Sequence, residues 1–355
     1  MGDLTWKVVT KPKAFHKGSY GSAVLEDPAG TLLMVGSIAD AAGIPTAAAW
    51  SSTDARSWKT LKLGAPVRSL GSGIAVTPSG LLIVGASGGG GLVWTTVDGS
   101  TWTAQTVPNA SLWDVTATAG GALVVGQAAP GPDGVPTVWT AAGPDVTTWV
   151  ATPVGTKGQP SRIAVGPDGV LVVAGTVNDG TGSIQITVWR SVDGIDWTTV
   201  IPDGLAPGAE SVAGLEWTPA GFVLAVYHGD QGKATGSIWL SPDGVTWQHT
   251  LQVPDGQVTA VTPLGTGVLA FGNGRTWRSD DGVTWVEHKE PGLHGNTVGA
   301  VTTLQDGRLL AIGRRTTVTP PAMAILTGTQ ADLPPAPSAS PAPSTSPAPS
   351  ASAAP

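Results

Sequence analysis

The sequence predicts an all-β protein, a seven-bladed β-propeller of four-stranded blades, and three observations support this fold class. A short tryptophan-containing motif recurs seven times along the 355 residues, and an apolar segment beginning with glycine recurs as often. The composition is rich in turn residues, with 50 glycines and 30 prolines. No stretch has the apolar spacing of an amphipathic helix. A repeat of about 40–50 residues with four strands is typical of a propeller blade.

The first repeat is a box of the form Trp-x-Ser-x-Asp-Gly-x-x-Trp. Complete copies are WRSVDGIDW at 189–197, WLSPDGVTW at 239–247 and WRSDDGVTW at 277–285. Variant copies are WTTVDGSTW at 94–102, WSSTDARSW at 50–58 and WTAAGPDVTTW at 139–149, and a seventh box is split between the two ends of the chain. Counted from Trp6, the final tryptophans are separated by 52, 44, 47, 48, 50 and 38 residues. This spacing sets the length of each blade.

The residues of the box are expected to have structural roles. The aspartates should accept backbone N–H groups within the turn, and the following glycine should supply a positive φ. The final tryptophans should pack between neighbouring blades, each burying roughly 200 Å². The aspartates are Asp54, Asp98, Asp193, Asp243 and Asp281, and the tryptophans are Trp6, Trp58, Trp102, Trp149, Trp197, Trp247 and Trp285.

The remaining strands of a blade follow from blade five, where segments 211–219, 221–227, 237–244 and 245–253 read as four consecutive strands. The chain begins with DLTW, the end of a box whose front half is AMAILT at 322–327. We therefore expect the N-terminal strand LTWKVV (4–9) to pair outside residues 322–327 and complete the last blade. Such closure protects a sheet edge and fixes both ends of the domain.

Two regions of different composition divide the chain. Residues 1–332 are predicted to form the propeller. Residues 333–355, which after Leu333 contain only Pro, Ala, Ser and Thr, are predicted to be a disordered tail or linker. A tail of this composition cannot bury apolar surface and is expected to be extended. It would serve as a tether or stalk. We accordingly expect an extracellular or cell-surface location. Because no signal peptide is visible, a cytoplasmic location is the alternative.

Charge and composition exclude several classes of function. A net charge of −7 and a pI near 5.1 argue against general binding of nucleic acid or anionic membranes. The absence of cysteine excludes disulfides, thiolate metal sites and cysteine nucleophiles. No stretch reaches the roughly 18 apolar residues of a membrane-spanning helix, and no histidines have metal-ligand spacing. No cofactor, metal or membrane insertion is expected, and the propeller is expected to be a monomer, alone or within a larger assembly.

The boxes resemble those of the Asp-box (BNR-repeat) β-propellers, a sialidase-like superfamily in fold that includes glycoside hydrolases and non-catalytic binding proteins. The family pattern is Ser-x-Asp-x-Gly-x-x-Trp, whereas this chain has Ser-x-Asp-Gly-x-x-Trp, one residue shorter. The resemblance covers about residues 3–330 and implies a fold. It does not imply a function, because catalytic and non-catalytic members carry the same box.

A sialidase would need three arginines that hold the substrate carboxylate, a tyrosine paired with a glutamate, and an aspartate. Its early Phe-Arg-Ile-Pro signature is missing, since the first blade reads LEDPAGTLL. The tyrosines available are Tyr20 and Tyr227, with Glu210 or Glu216 as partners. The arginines at suitable positions are Arg68, Arg162, Arg314 and Arg315. A glycosidase of another kind would need only two carboxylates at the channel mouth. The carboxylates that qualify by position are Glu216, Glu210, Asp114 and Asp230.

Three further residues are candidates for binding. Glu216 falls on the innermost strand of blade five, where we align it with the small residues Ala75, Ala164 and Ala260, so its carboxylate should face the central channel. Trp113, beside Asp114, lies in a predicted loop at the start of blade three, outside the box positions. It would either bind a ligand or fold over the core. His294 lies on a loop of the same face.

These observations favour a non-catalytic module that binds a protein or a glycan through the face carrying the longer loops (segments 37–48, 127–137, 177–186 and 227–237). The alternative is a glycoside hydrolase acting at the mouth of the channel. An enzyme should bring two carboxylates together there, about 5–10 Å apart, whereas a binding module should present an aromatic or apolar patch.

Overall fold

The computed structural model is a seven-bladed β-propeller with four antiparallel strands in every blade, as the repeat predicts. It describes residues 4–330 except 10–13, 16–17, 132–133, 142–145, 147, 179, 181, 206, 209, 231–232, 255 and 318–321. Helical structure among the described residues is limited to two short 3-10 turns, Pro167–Gly169 and Pro291–Leu293. Neither is a helix of the length and apolarity that crossing a bilayer requires.

In blades one to six the four strands follow one another from the central channel to the outer rim of the propeller. Blades one to three consist of β2 (Ser19–Glu26), β3 (Leu32–Ala39), β4 (Pro45–Ser52) and β5 (Lys59–Leu61); β6 (Ser69–Thr77), β7 (Gly80–Ser87), β8 (Gly90–Thr96) and β9 (Thr103–Val107); and β10 (Ala110–Thr118), β11 (Gly121–Ala128), β12 (Val135–Ala141) and β13 (Trp149–Pro153). Blades four and five consist of β14 (Gln159–Val165), β15 (Leu171–Asn178), β16 (Ile184–Ser191) and β17 (Thr198–Val200); and β18 (Glu210–Thr218), β19 (Gly221–Asp230), β20 (Lys233–Ser241) and β21 (Gln248–Val253). Blade six consists of β22 (Ala260–Leu264), β23 (Gly267–Gly272), β24 (Arg275–Ser279) and β25 (Val286–Lys289).

The first and last strands of the chain close the ring. Blade seven contains β26 (Asn296–Thr303), β27 (Leu309–Arg315) and β28 (Ala322–Gln330), and its outer strand is β1 (Leu4–Val9). In the antiparallel pair β1–β28, Trp6 lies opposite Gly328 and Val9 opposite Ile325. The predicted closure by the N-terminal strand is therefore confirmed.

The core consists of seven hydrophobic clusters, and each lies between two consecutive blades. The final tryptophan of one box either belongs to each cluster or, partly buried, packs against it. The cluster between blades four and five, for example, contains Trp247 together with Val172, Leu224 and Trp239. The cluster between blades six and seven contains Trp6, whose ring meets the edge of Phe271 at a centroid distance of 5.4 Å. Stability therefore depends on contacts between blades, as expected for a repeat architecture.

The antiparallel order of strands defines two faces. The box face carries the box turns and the turns between the first and second strands. The mouth face carries the connections between the second and third strands and those that lead into each inner strand. The mouth-face connections are shorter than predicted, because the strands extend into them: the segment predicted as a loop at 227–237 is almost entirely strand, within β19 and β20.

Candidate functional site at the mouth of the central channel

The box turns hold themselves together and occupy the face opposite the mouth. Asp281 accepts the backbone N–H groups of Val283 and Thr284 (2.8 and 2.7 Å) and the hydroxyl of Ser279 (3.0 Å). Asp54, Asp98, Asp193 and Asp243 accept the same pairs of amides in their own turns. One oxygen of each of these carboxylates is therefore used within its own turn, which gives the aspartates of the box the structural role that the sequence predicts.

The glycine of the box has a positive φ where it is present, 73° at Gly282 and 75° at Gly194. In blade one, where the glycine is replaced, Ala55 adopts the same left-handed conformation with φ 60°. The box turn therefore forces its backbone geometry even on a residue with a side chain. The hydrogen bonds from backbone amides also lower the pKa of the box carboxylates, which for Asp54 falls to about 2, mainly through the amides of Ser57 and Arg56.

The mouth face is shaped by irregularities in the inner strands. Six of the seven inner strands have a register shift near the mouth, at Gly21/Ala23, Gly71/Gly73, Leu112/Asp114, Pro160/Arg162, Val212/Gly214 and Val298/Ala300. A bulge bends its strand and re-aims the side chains beside it. In five of these six strands the residue skipped by the register is small (Ser22, Ser72, Ser161, Ala213 and Gly299), whereas in blade three it is Trp113.

Trp113 and Asp114 therefore differ from their predicted location. Both lie within strand β10 and not in a loop, and the half-buried Trp113 stands at the bulge itself. The prediction was wrong because a bulge has no reliable signature in one sequence. The correction places a tryptophan in the ring of bulge residues at the channel mouth.

The central channel contains a cavity of about 260 Å³ lined by all seven inner strands. Its charged lining residues are Asp114 of blade three, Arg162 of blade four and Glu216 of blade five. Glu216 faces the channel as its position on the inner strand predicts. On β18 Glu216 lies opposite Val223, and the residue at the same register position in blade six is Thr262, opposite Leu269. The predicted alignment of Glu216 with Ala260 was therefore wrong by two residues.

The Asp114 carboxylate is fixed by the backbone of two blades. One oxygen accepts the N–H of Val115 (2.9 Å) and the other accepts the N–H of Ile163 in blade four (3.1 Å). Burial nevertheless raises the pKa of Asp114, while the positive charge of Arg162 and these two amides oppose the rise. Asp114 thus joins neighbouring inner strands and contributes a partly compensated negative charge to the channel.

Arg162 and Glu216 complete this group. One terminal nitrogen of Arg162 donates to the carbonyl oxygen of Ser161 (2.7 Å). Burial in the channel raises the pKa of Glu216 to about 8, with the charge of Asp114 adding to the rise and that of Arg162 opposing it. Among the described residues, no three or more His, Asp or Glu side chains are grouped so as to hold a metal ion.

The other candidates do not join this group. Tyr20 is 40% exposed at the start of β2, and the guanidinium of Arg314 lies 4.5 Å from the centre of its ring. Tyr227 is half-buried in β19, opposite Ser211 and Gly236, and Glu210 begins β18, opposite His228. The exposed His294 follows the 3-10 turn Pro291–Leu293 on the way into blade seven.

An apolar surface is present at the same mouth. Leu70 of β6 is 48% exposed and occupies the position in blade two that Tyr20 occupies in blade one, as shown by the pairs Leu70–Ala86 and Tyr20–Ser37. Trp113 lies on the next blade. The residue of that blade equivalent to Tyr20 and Leu70 is Ser111, opposite Gln127, and the half-buried Trp113 lies two residues further along β10. We call Tyr20 and Leu70 the mouth patch. Sequence reasoning selected Tyr20 and Trp113 but missed Leu70, because one leucine in a β-strand gives no indication that it faces outward.

Comparison with known proteins supports the fold. No protein-family model matches the chain, and no curated protein matches it. Among solved structures, streptogramin B lyase matches with a TM-score of 0.64 at 13% identity over 92% of this chain and 98% of that chain. YCF48 bound to D1 peptide matches with a TM-score of 0.64 at 13% identity over 92% and 95%. The β-propeller domain of Cps50 (Swd1) from Myceliophteria thermophila matches with a TM-score of 0.54 at 14% identity over 89% and 98%. Likeness at such identities establishes a propeller fold and leaves the Asp-box resemblance a prediction.

Proposed function

We propose that this propeller is a non-catalytic binding module that recognises a segment of a partner protein through the mouth patch. The observation that supports this most directly is the exposure of Tyr20 and Leu70 at equivalent positions of adjacent inner strands. Aromatic and aliphatic side chains exposed together are typical of interaction sites. One structural neighbour, YCF48, is bound to a D1 peptide, so a propeller of similar fold does accommodate a peptide.

The rigidity of the ring favours such a role. Each inner strand is bonded to a second strand along most of its length, so the mouth patch is arranged before a partner arrives. Binding then requires little ordering of the propeller, which lowers the entropic cost of association. Residues 333–355 would act as the tether that holds the module near its partner, at an extracellular or cell-surface location.

Two features of the channel argue against the alternative, a glycoside hydrolase. Asp114 and Glu216 do line one cavity, but both oxygens of Asp114 accept backbone N–H groups, which leaves this carboxylate poorly suited to act as a base or nucleophile. The cavity of about 260 Å³ is also smaller than the roughly 300–1,000 Å³ usual for ligand pockets. A glycosidase further needs room for a water or a sugar ring between its carboxylates.

The experiment is a selection of random displayed peptides on the full chain, followed by affinity measurements on Tyr20→Ala/Leu70→Ala. The matched control is Val192→Ala/Ile195→Ala, which removes two side chains that are 59% and 72% exposed on the box face. We expect the selected peptides to lose at least about tenfold in affinity for the mouth variant and to bind the control normally. Peptides that bind both variants equally would contradict the proposal.

A glycan array and hydrolysis assays with aryl glycosides, run on the same proteins, separate the other classes. Saturable glycan binding that the mouth variant loses would replace the protein partner by a glycan. Turnover that Glu216→Gln abolishes would instead establish a hydrolase.

A further inference from the structure

The arginines of the chain are divided between two environments. Five are engaged within the blades or lie on the box face. Arg190 donates to the carbonyl oxygen of Asp243 (2.7 Å), Arg56 lies in the box turn of blade one, and three pair with carboxylates: Arg275 with Glu287 (3.3 Å), Arg278 with Glu290 (2.9 Å) and Arg308 with Asp306 (2.6 Å).

The other four, Arg68, Arg162, Arg314 and Arg315, come to the mouth face or the channel. Arg68 and Arg314 are exposed, and within the described residues neither they nor the half-buried Arg315 forms an ion pair with a carboxylate. The box carboxylates lie on the opposite face. In a chain with a net charge of −7, and with the exposed Asp40 in the mouth connection of blade one, Arg68 and Arg314 thus present guanidinium groups without an ion-pair partner among the described residues beside the mouth patch.

A groove lies beside Arg68. It has a volume of about 400 Å³ and lies between blades one and two, where Ile44, Pro45, Leu70 and Ala86 form its apolar lining and Arg68 its charged edge. The backbone around Arg68 is fixed. Arg68 has a φ of 63°, and its N–H donates to the carbonyl oxygen of Pro45 (2.8 Å). The groove is thus preformed.

The second charge stands on the other side of Tyr20. Arg314, at the end of β27 in blade seven, stacks on the Tyr20 ring of blade one. A guanidinium on an aromatic face keeps its N–H groups free at the edge, where a carboxylate can accept two of them. Arg314, Tyr20, Leu70 and Arg68 therefore form an arc over three consecutive blades that is apolar in the middle and cationic at both ends.

We propose that this arc binds an acidic peptide segment, with an apolar side chain of the segment in the groove beside Leu70 and carboxylates on Arg68 and Arg314. The proposal rests on the proposed function and adds the chemistry of the partner. Charge complementarity is its basis, since like charges on the partner would be repelled and an uncharged segment would leave both guanidinium groups unused.

The test starts from the displayed peptides selected on the full chain. We expect an excess of Asp and Glu over the unselected library, next to at least one apolar residue. A synthetic copy of the best binder with Asn and Gln in place of Asp and Glu should bind about tenfold more weakly. Its parent should lose affinity between roughly 50 and roughly 300 mM salt, because exposed charge pairs are screened.

Variants of the chain localise the effect. Arg68→Gln/Arg314→Gln should weaken the acidic peptide about tenfold and leave the Asn/Gln copy unchanged. The matched control is Arg56→Gln/Arg308→Gln, which removes two arginines from the box face. Because Arg68 and Arg314 are exposed, these variants should melt at the temperature of the parent.

The two proposals fail in different ways. If the selected peptides need Tyr20 and Leu70 but show no acidic excess, and the arginine variants bind them normally, the acidic partner is excluded and the binding function stands. If no selected peptide depends on Tyr20 and Leu70, both proposals are overturned.

Discussion

Carboxyl groups of this propeller lie in two opposite environments, the solvent-exposed box turns and the central channel. In the box turn, Asp54 is exposed to solvent and accepts two backbone N–H groups, which favour its charged form and lower its pKa to about 2. In the channel, burial disfavours the charge of Glu216 and raises its pKa to about 8. The box carboxylates thus stabilise their turns as anions, whereas Glu216 is stable as a neutral acid.

The pKa of Glu216 leads to a prediction about pH. The folded state keeps the proton of Glu216 from about pH 4.5, the ordinary pKa, up to about 8, while the unfolded state loses it. The free energy of unfolding therefore falls as the pH rises from about 4.5 to about 8. Glu216→Gln removes the ionisation, and we expect its free energy of unfolding to exceed that of the parent by about 1–3 kcal/mol at pH 8 and to match it near pH 4.5.

Urea unfolding of both proteins from pH 4.5 to 8.5 measures this effect. The control is Asp280→Asn, which changes an exposed acid in the box turn of blade six and should alter the free energy of unfolding by less than about 0.5 kcal/mol. A Glu216→Gln protein that is less stable than the parent at pH 8 would show that the carboxylate is ionised and bound by partners in the folded state.

The channel group also shows how far single residues can be read from the sequence. The location of Glu216 follows from the alternation and alignment of inner strands, because every blade repeats the same pattern. That Asp114 accepts an N–H from Ile163 of the next blade cannot be read in this way. The bulge at Leu112/Asp114 sets which way the carboxylate points, and no repeat in the sequence encodes it.

At the level of the strands, blade six contains the one buried ion pair found among the described residues. Arg278 of β24 and Glu290, which follows β25, are each 5% exposed and lie 2.9 Å apart. Glu290 also accepts the hydroxyl of Thr276 (2.8 Å), and its N–H donates to the carbonyl oxygen of Gly274. The pair thus holds the connection to blade seven against β24, where the outer strand has only four residues.

The sequence does not reveal this pair. Arg278 and Arg190 both follow the first tryptophan of a box, in WRSDDG and WRSVDG. Arg190 is half-buried and donates to the backbone of the neighbouring box turn, whereas Arg278 is buried. The repeat predicts the strand that carries each arginine, but it does not predict that the segment after β25 brings the Glu290 carboxylate back to Arg278.

Removal of one partner should therefore be costly. Glu290→Ala leaves the Arg278 guanidinium buried without its carboxylate, and we expect a loss of about 3–5 kcal/mol in the free energy of unfolding. The control is Glu287→Ala, which breaks the exposed pair with Arg275, where the side chains are 46% and 43% exposed, and should cost less than about 1 kcal/mol. Equal losses in urea unfolding would contradict the buried pair as a specific support.

At the scale of the whole molecule, the ring and its closure could be predicted from periodicity alone, because seven boxes and seven apolar strands leave one blade shared between the ends. The seven inter-blade clusters show why the shared blade matters. The Trp6 ring fills the cluster between blades six and seven, and a Cβ added at Gly328 would lie 2.9 Å from it. The first strand of the chain thus completes the hydrophobic cluster between the last two blades.

Deletion of residues 1–9 should consequently open the ring. It removes β1, exposes the unpaired edge of β28 and leaves the cluster around Phe271 without Trp6. We expect a lower melting temperature and self-association through the free edge, detected by calorimetry and analytical ultracentrifugation. Within the full chain, Trp6→Ala should lower the free energy of unfolding by about 3–5 kcal/mol, whereas Lys7→Ala, at an exposed position of the same strand, should lower it by less than about 0.5 kcal/mol.

A synthetic peptide of residues 1–9 added to the truncated protein should pair with β28, restore much of the melting temperature and prevent association. A copy of the peptide with Trp6→Ala should fail to do so. A truncated protein that stays monomeric and melts like the parent would show instead that blades one to six hold the ring closed without the N-terminal strand.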